Sequence, residues 1–185
     1  MWSAPLKPET LRNYDMYKHN NHFPGTWQLG RKDLMYRNIS AQMREWGEEY
    51  AIVPRTWILP YDLRIFQKER DEHQGKMLWI LKPAASACGR GIKILSKQSS
   101  LPKKGAYVVN QYIMKPHLIG GFKYDLRLYV LVTSFEPLTI YIHEDGLVRF
   151  ATQPYTTKNR KSRFAHLTNF SVNKKATNYK KAGKD

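Results

Sequence analysis

Acidic residues are scarce in this 185-residue chain: 15 Asp and Glu stand against 31 Lys and Arg, a net charge of +16. A field that basic speeds encounter with negative surfaces, so a polyanionic partner is expected: nucleic acid, an acidic membrane face or an acidic protein tail. Cysteine is scarcer still. Cys88 is alone, which excludes an internal disulfide and any multi-thiolate metal site and suits a reducing compartment. No apolar run approaches membrane-spanning length. The start, Met1-Trp2-Ser3-Ala4-Pro5, has neither the basic nor the apolar region of a signal peptide. A soluble intracellular protein is expected. Neither the Walker pattern G-x-x-x-x-G-K-[ST] nor the dinucleotide pattern G-x-G-x-x-G is present. The histidines show no metal-ligand spacing, and Cys88 has no evident paired base, so neither is assigned chemistry.

What is present folds: 42% of the residues are hydrophobic and 13% aromatic. Residues 1–30 read as irregular, with a turn at Phe23-Pro24-Gly25. Met35, Ile39, Met43 and Trp46 recur at helical spacing and predict a helix from about Asp33 to Gly47. Residues 51–59 look extended, with Pro54 arguing against a central strand. Pro60 and Asp62 offer a helix start that buries Leu63 and Phe66 and dissolves into a polar connection over Gln67–Lys76. Strands follow at Leu78–Lys82, Gly91–Ser96, Ala106–Met114, Tyr124–Ser134, Leu138–His143 and Leu147–Ala151, with Glu144-Asp145-Gly146 as a hairpin turn between the last two. The pattern is α+β, with mostly antiparallel sheet and N-terminal helices. The basic residues from Lys158 to Lys184 read as a solvated loop followed by a frayed tail over the last ten positions.

Three segments carry possible chemistry. Lys82 closes a strand just before Pro83-Ala84-Ala85-Ser86-Ala87-Cys88-Gly89-Arg90-Gly91, a loop small enough for backbone amides to approach a bulky anion. A small mobile hairpin loop accounts for it equally. Lys123, Asp125 and Arg127 alternate along one strand and suit a polyphosphate with its metal. From that segment alone a simple cross-strand ion pair on a solvated face is preferred. Arg149, flanked by apolar residues, either recognises a carboxylate or phosphate or snorkels. The polar run His166–Asn173 could be an ordinary turn.

Together these segments resemble the tubulin tyrosine ligase-like family, the polyglutamylases most. The resemblance rests on Asn21–Gly25, Gly30–Asp33, Trp79–Pro83, Gly89–Ile92, Gln111–Ile113, Lys123–Arg127, Asp145–Phe150 and His166–Lys174, in this order and at these distances. It implies an ATP-grasp-type fold with an N-terminal segment (1–76), a central lobe with the phosphate flap (77–114) and the start of a catalytic lobe (115–185). It implies an ATP- and Mg2+-dependent ligase that adds free L-glutamate to acidic tubulin tails. The tail carboxylate is activated as an acyl phosphate, so the protein's work is positioning and charge neutralisation. By the same resemblance Lys82, Cys88, Gly89, Gln111, Tyr112, Ile113, Met114, Lys123, Asp125, Thr168 and Asn169 bind the nucleotide. Arg127 reaches the terminal phosphate, and Arg149 and Ser171 hold the incoming amino acid. Phe170 stands where the family commonly has tyrosine. The family's magnesium-binding Glu-x-Asn strand has no counterpart before Asp185, so the chain is expected to be a truncated, inactive piece whose metal ligands lie further on. Partners expected on this basis are tubulin or microtubules, with no nucleic acid or membrane, in the cytoplasm, the cytoskeleton and the cilium or basal body. The alternatives are a ligase for glycine or another amino acid, a non-catalytic microtubule-binding module and a nucleic-acid-binding domain. Weak aromatic interleaving among the basic clusters argues against the last.

Overall fold

A computed structural model describes residues 4–13, 15, 19–73 and 75–179. Two short helices, α1 (Pro8–Arg12) and α2 (Trp27–Gly30), break the stretch whose composition marks it as irregular. The long helix α3 (Lys32–Trp46) follows the predicted spacing. Arg31 forks Asp33 in its first turn (Nη2–Oδ2 2.8 Å), and Gly47 ends it at φ +74°. Trp46 is exposed, so the packed stripe stops at Met43.

The first sheet contains β1 (Thr56–Leu59), β2 (Trp79–Pro83), β3 (Lys93–Leu95) and β4 (Tyr107–Gln111), antiparallel throughout, in the spatial order β1-β4-β2-β3. β1 sits at an edge, where a chain leaving Pro54 can pair on one side only. The sheet spans residue 76, since β1 is bonded to β4. Across one face lies α4 (Leu63–Glu72), whose Phe66 is fully buried between Trp57 and Trp79, with ring centroids 5.3 and 5.7 Å away. Burying such a ring contributes roughly 1.5–3 kcal/mol.

The polar run after Phe66 is helix, not connection, as far as Glu72. Glu69 holds it: this half-buried carboxylate takes Arg55 from the strand side and His73 one turn on (Nε2–Oε1 2.8 Å). Lys68 and Glu72 form a further i,i+4 pair.

The second half holds β5 (Leu118–Ile119), β6 (Phe122–Arg127), β7 (Val130–Phe135), β8 (Leu138–Ile142) and β9 (Leu147–Phe150), then short helices α5 (Arg163–His166) and α6 (Phe170–Asn173). The single strand expected over Tyr124–Ser134 is two. β6 pairs with β9 and β7 with β8, so the β7–β8 hairpin is nested between β6 and β9. Asp145-Gly146 therefore does not make a hairpin, because β8 and β9 are not bonded to each other. Gly146 serves a close crossing instead: a Cβ there would lie 2.8 Å from the Arg127 carbonyl oxygen. Leu126, Leu128 and Val130, on one face by alternation, are each more than half exposed.

The run His166–Asn173 is anchored rather than an ordinary turn. The buried Asn173 amide accepts from both the backbone and the hydroxyl of Thr152 at 2.9 Å and donates to the Leu167 carbonyl at 2.7 Å. Residues 176–179 are not frayed: Asn178 donates to the Thr152 carbonyl at 2.6 Å. Lys180, Lys181 and Lys184 lie outside the described residues.

Candidate functional site

A cavity of about 270 Å³ opens between α3 and the face of the first sheet. β2 contributes Ile80 and Lys82, the end of β4 contributes Asn110 and Gln111, and Tyr112, Ile113 and Lys123 complete that side. α3 supplies Lys32, Met35 and Tyr36. Three lysines thus converge on a partly apolar hollow that no Asp or Glu among the described residues lines. Burial pushes the Lys82 ammonium below its usual value, and the charge of Lys32 adds to this. Lys123 is pushed down to about 8, by burial first and then by Lys82, against a smaller opposing pull from Asp125. A site that destabilises its own cations is one that an anion stabilises.

Behind the cavity is a chain of polar groups. Lys123 donates to the Tyr112 hydroxyl at 3.2 Å and lies over its ring, 4.7 Å from the centroid. That hydroxyl meets His166 Nδ1 at 2.9 Å, and His166 Nε2 meets the Asn159 carbonyl at 3.0 Å. Burial raises the Tyr112 phenol and lowers the His166 imidazole, so both are neutral near pH 7. Met114, beyond the end of β4, accepts a hydrogen bond at its carbonyl from Tyr155 at 2.9 Å.

Asp125 faces Arg149 across the β6–β9 register, and the guanidinium forks the carboxylate through Nε at 2.8 Å and through Nη2. The cross-strand ion pair that the sequence allows is present, and its partner is Arg149. Burial alone would raise the Asp125 carboxyl, but Arg149, a hydrogen bond from Thr168 and the charge of Arg127 outweigh it and hold the group below its ordinary value. Arg127 itself is exposed. Arg149 lines a second, largely apolar cavity of about 590 Å³ with Phe150, Thr168 and Phe170. Ser171 is not among its lining residues.

Ser171 instead ties down the small-residue loop, donating to the Cys88 carbonyl at 2.8 Å. Arg163 donates to the Gly89 carbonyl at 2.8 Å, and Lys32 to that of Ser86. Cys88 and Gly89 have φ of +60° and +72°. A Cβ on Gly89 would stand 2.9 Å from Asn169 Oδ1 and 3.0 Å from Val172 Cγ2, so only glycine lets the loop lie on α6. Of the sequence-assigned residues, Lys82, Gln111, Tyr112, Ile113 and Lys123 line the first cavity. Cys88, Gly89, Asn169 and Ser171 gather at the loop, and Asp125, Arg149 and Thr168 form a third group. Sequence reasoning assigned no role to Lys32, Tyr36, Tyr155 or His166. The one available signal was the basic Gly30-Arg31-Lys32-Asp33 segment at a helix start.

A family model described as the tubulin-tyrosine ligase family matches residues 10–185. The chain is 45% identical over 181 residues to tubulin monoglutamylase TTLL4 of Mus musculus, covering 96% of this chain and 15% of that protein. It is 42% identical to tubulin polyglutamylase TTLL5 of Mus musculus (97% of this chain, 14% of that protein). To a probable beta-tubulin polyglutamylase of Tetrahymena thermophila it is 38% identical (95% and 15%). The chain therefore spans about a seventh of the length of these relatives.

Proposed function

Because the chain belongs to the tubulin-tyrosine ligase family, we propose that it forms the nucleotide-holding part of an ATP-dependent ligase joining free glutamate to acidic tubulin tails. The observation that carries this is the convergence of Lys32, Lys82 and Lys123 on a hollow with no acidic wall. Anionic phosphates would stabilise on Lys82 and Lys123 the charge that burial opposes. Gln111, Tyr112, Ile113 and Met114 would hold the base, and the loop at Cys88 and Gly89, with Asn169, would cover the phosphates in an ATP-grasp manner. Arg127, exposed and unpaired among the described residues, would reach the terminal phosphate. The cytoplasm and the cytoskeleton, including the cilium or basal body, are the places such a ligase would work.

The relatives named above are tubulin glutamylases. Arg149 favours an acidic co-substrate here too, since glycine has no second carboxylate for a guanidinium to hold. Its fork on Asp125 uses two of five N–H donors, leaving donors for a ligand carboxylate. Ser171, held at the loop, would act on that ligand only if the loop moved.

Magnesium does not fit the described residues. They contain no group of three or more His, Cys, Asp or Glu side chains able to hold a metal ion. Asp125 is committed to Arg149 through both of its oxygens. Among the described residues no helix is long and apolar enough to cross a membrane.

The decisive experiment is thermal unfolding of the chain with ATP, a non-hydrolysable analogue, or neither. A ligand that binds only the folded state raises the midpoint in proportion to the logarithm of its concentration. No rise with either nucleotide, at concentrations up to the millimolar range, overturns the proposal.

A further inference from the structure

β3, like β1, is an edge strand of the first sheet: β2 pairs with one side of it, and no strand among the described residues pairs with the other. A cavity of about 550 Å³, separate from the two above, is lined by all of residues 91–95. A hollow on one face of a strand meets every second residue, so one that meets all three residues of β3, and the two before them, follows the strand's edge. Its far wall is the segment Arg160–Arg163. Lys93, Arg160 and Lys161 are exposed, no Asp or Glu lines the groove, and among the described residues no carboxylate pairs with any of the three. Arg163 fixes that wall to the Gly89 carbonyl, so the groove borders the small-residue loop.

We propose that this groove binds an extended acidic peptide as an added strand on β3, its carboxylates paired with Lys93, Arg160 and Lys161. An unpaired edge offers a row of N–H and C=O groups to a second strand, and alternate side chains of that strand reach the basic wall. The other walls are mostly aliphatic or small, through Ile92, Ile94, Leu167 and Ser99, with the buried His166 beside them. Among the described residues no Phe, Tyr or Trp lines the groove, so they offer no stacking platform of the kind a single-stranded nucleic-acid site uses. Binding rests on the charge and the free edge. That the bound peptide is the acceptor of a ligase rests on the proposed function, and the nearness of the loop supports it.

The test is fluorescence anisotropy with a labelled Glu-rich octapeptide, its Gln counterpart and a labelled single-stranded oligonucleotide, without nucleotide. The Glu peptide binds, more weakly as salt rises. K93E/R160E/K161E lowers its affinity about tenfold or more, while K103E/K104E, at exposed lysines outside the groove, changes it less than about twofold. A Glu peptide N-methylated at alternate backbone positions also loses about tenfold, since each lost backbone bond is worth a factor of several. Should the triple variant fail to fold, the neutral K93Q and R160Q/K161Q each show part of the loss. Equal losses from the groove and control reversals, equal binding of the Gln peptide, full retention of the methylated peptide, or an oligonucleotide bound more tightly at the same residues overturn the proposal. An ATP analogue titrated into the same samples separates the two readings. Peptide binding without nucleotide binding sinks the ligase and leaves the groove, and the reverse sinks the groove alone.

Discussion

Arg149 stands directly across from Asp125, and the two side chains fix each other's charge and direction. The pair places a guanidinium at the mouth of a largely apolar cavity with part of its hydrogen-bonding capacity unspent. In a longer ligase carrying this segment, Arg149→Ala should raise the KM for glutamate about tenfold, the loss of one charge-assisted contact, with the KM for ATP within about twofold. Arg149→Lys keeps the charge but loses the fork and should recover little. Steady-state kinetics against each substrate decide it. Unaltered glutamate dependence shows that Arg149 serves only Asp125.

Lys82 lies near the end of a central strand, paired with Val108 of β4 and one residue past the last pairing with β3. Lys82→Ala should weaken an ATP analogue by roughly 1.5–3 kcal/mol, the range for hydrogen bonds to charged groups. Parallel fluorescence titrations check this, and equal affinities remove Lys82 from the site.

Lys123 gives the site a pH signature. In the free protein burial holds it at about 8, and a bound phosphate raises that value. The affinity is therefore full below about 8 and falls as pH rises through 8 towards the bound-state value. Calorimetric titration at slightly alkaline pH, in buffers of different ionisation enthalpy, should show proton uptake on binding. Lys123→Gln should abolish it.

Gly89→Ala should lift the loop off α6. The left-handed backbone costs about 1–2 kcal/mol with a Cβ, and that Cβ would meet Asn169 and Val172 at 2.9 and 3.0 Å. Limited proteolysis after Arg90 should speed up, with a lower thermal midpoint. An unchanged digestion rate would mean that the loop is not held down there.

His166→Phe tests the polar chain behind the cavity. It leaves the Tyr112 hydroxyl without its imidazole partner and frees the Asn159 carbonyl. The expected cost is about 1–3 kcal/mol in denaturant unfolding, as for a buried group losing its partner. A cost near zero would show that water takes the place of the ring.

Periodicity and punctuation made α3 and the strands around the small-residue loop legible. Met35, Ile39 and Met43 mark a helical face, and Lys82 marks where a strand gives way to small residues. The misread places depend on groups distant in sequence. Gln67–Glu72 is polar enough to pass for a loop until Arg55 reaches Glu69. The stretch Tyr124–Ser134 alternates without a break, and only the switch of partner from β9 to β8 divides it. Asp145-Gly146 has hairpin chemistry, but its glycine is there for the Arg127 carbonyl. In the candidate site, single residues such as Lys82 stand out in the sequence because their neighbours are distinctive. The Asp125–Arg149 pairing needed the register of two strands that only folding brings together.

The strand order β1-β4-β2-β3 sets the sequence of synthesis against the sequence in space. β4 is made last of the four, yet it sits between β1 and β2 and carries the hydrogen bonds of both. A nascent chain that has not reached Tyr107–Gln111 holds a β1 with no partner and a β2 bonded only to β3. Trp57 and Trp79, buried in the finished sheet, would lack the strand that lies between theirs over that interval, so the stretch before residue 107 would benefit from a chaperone while it leaves the ribosome.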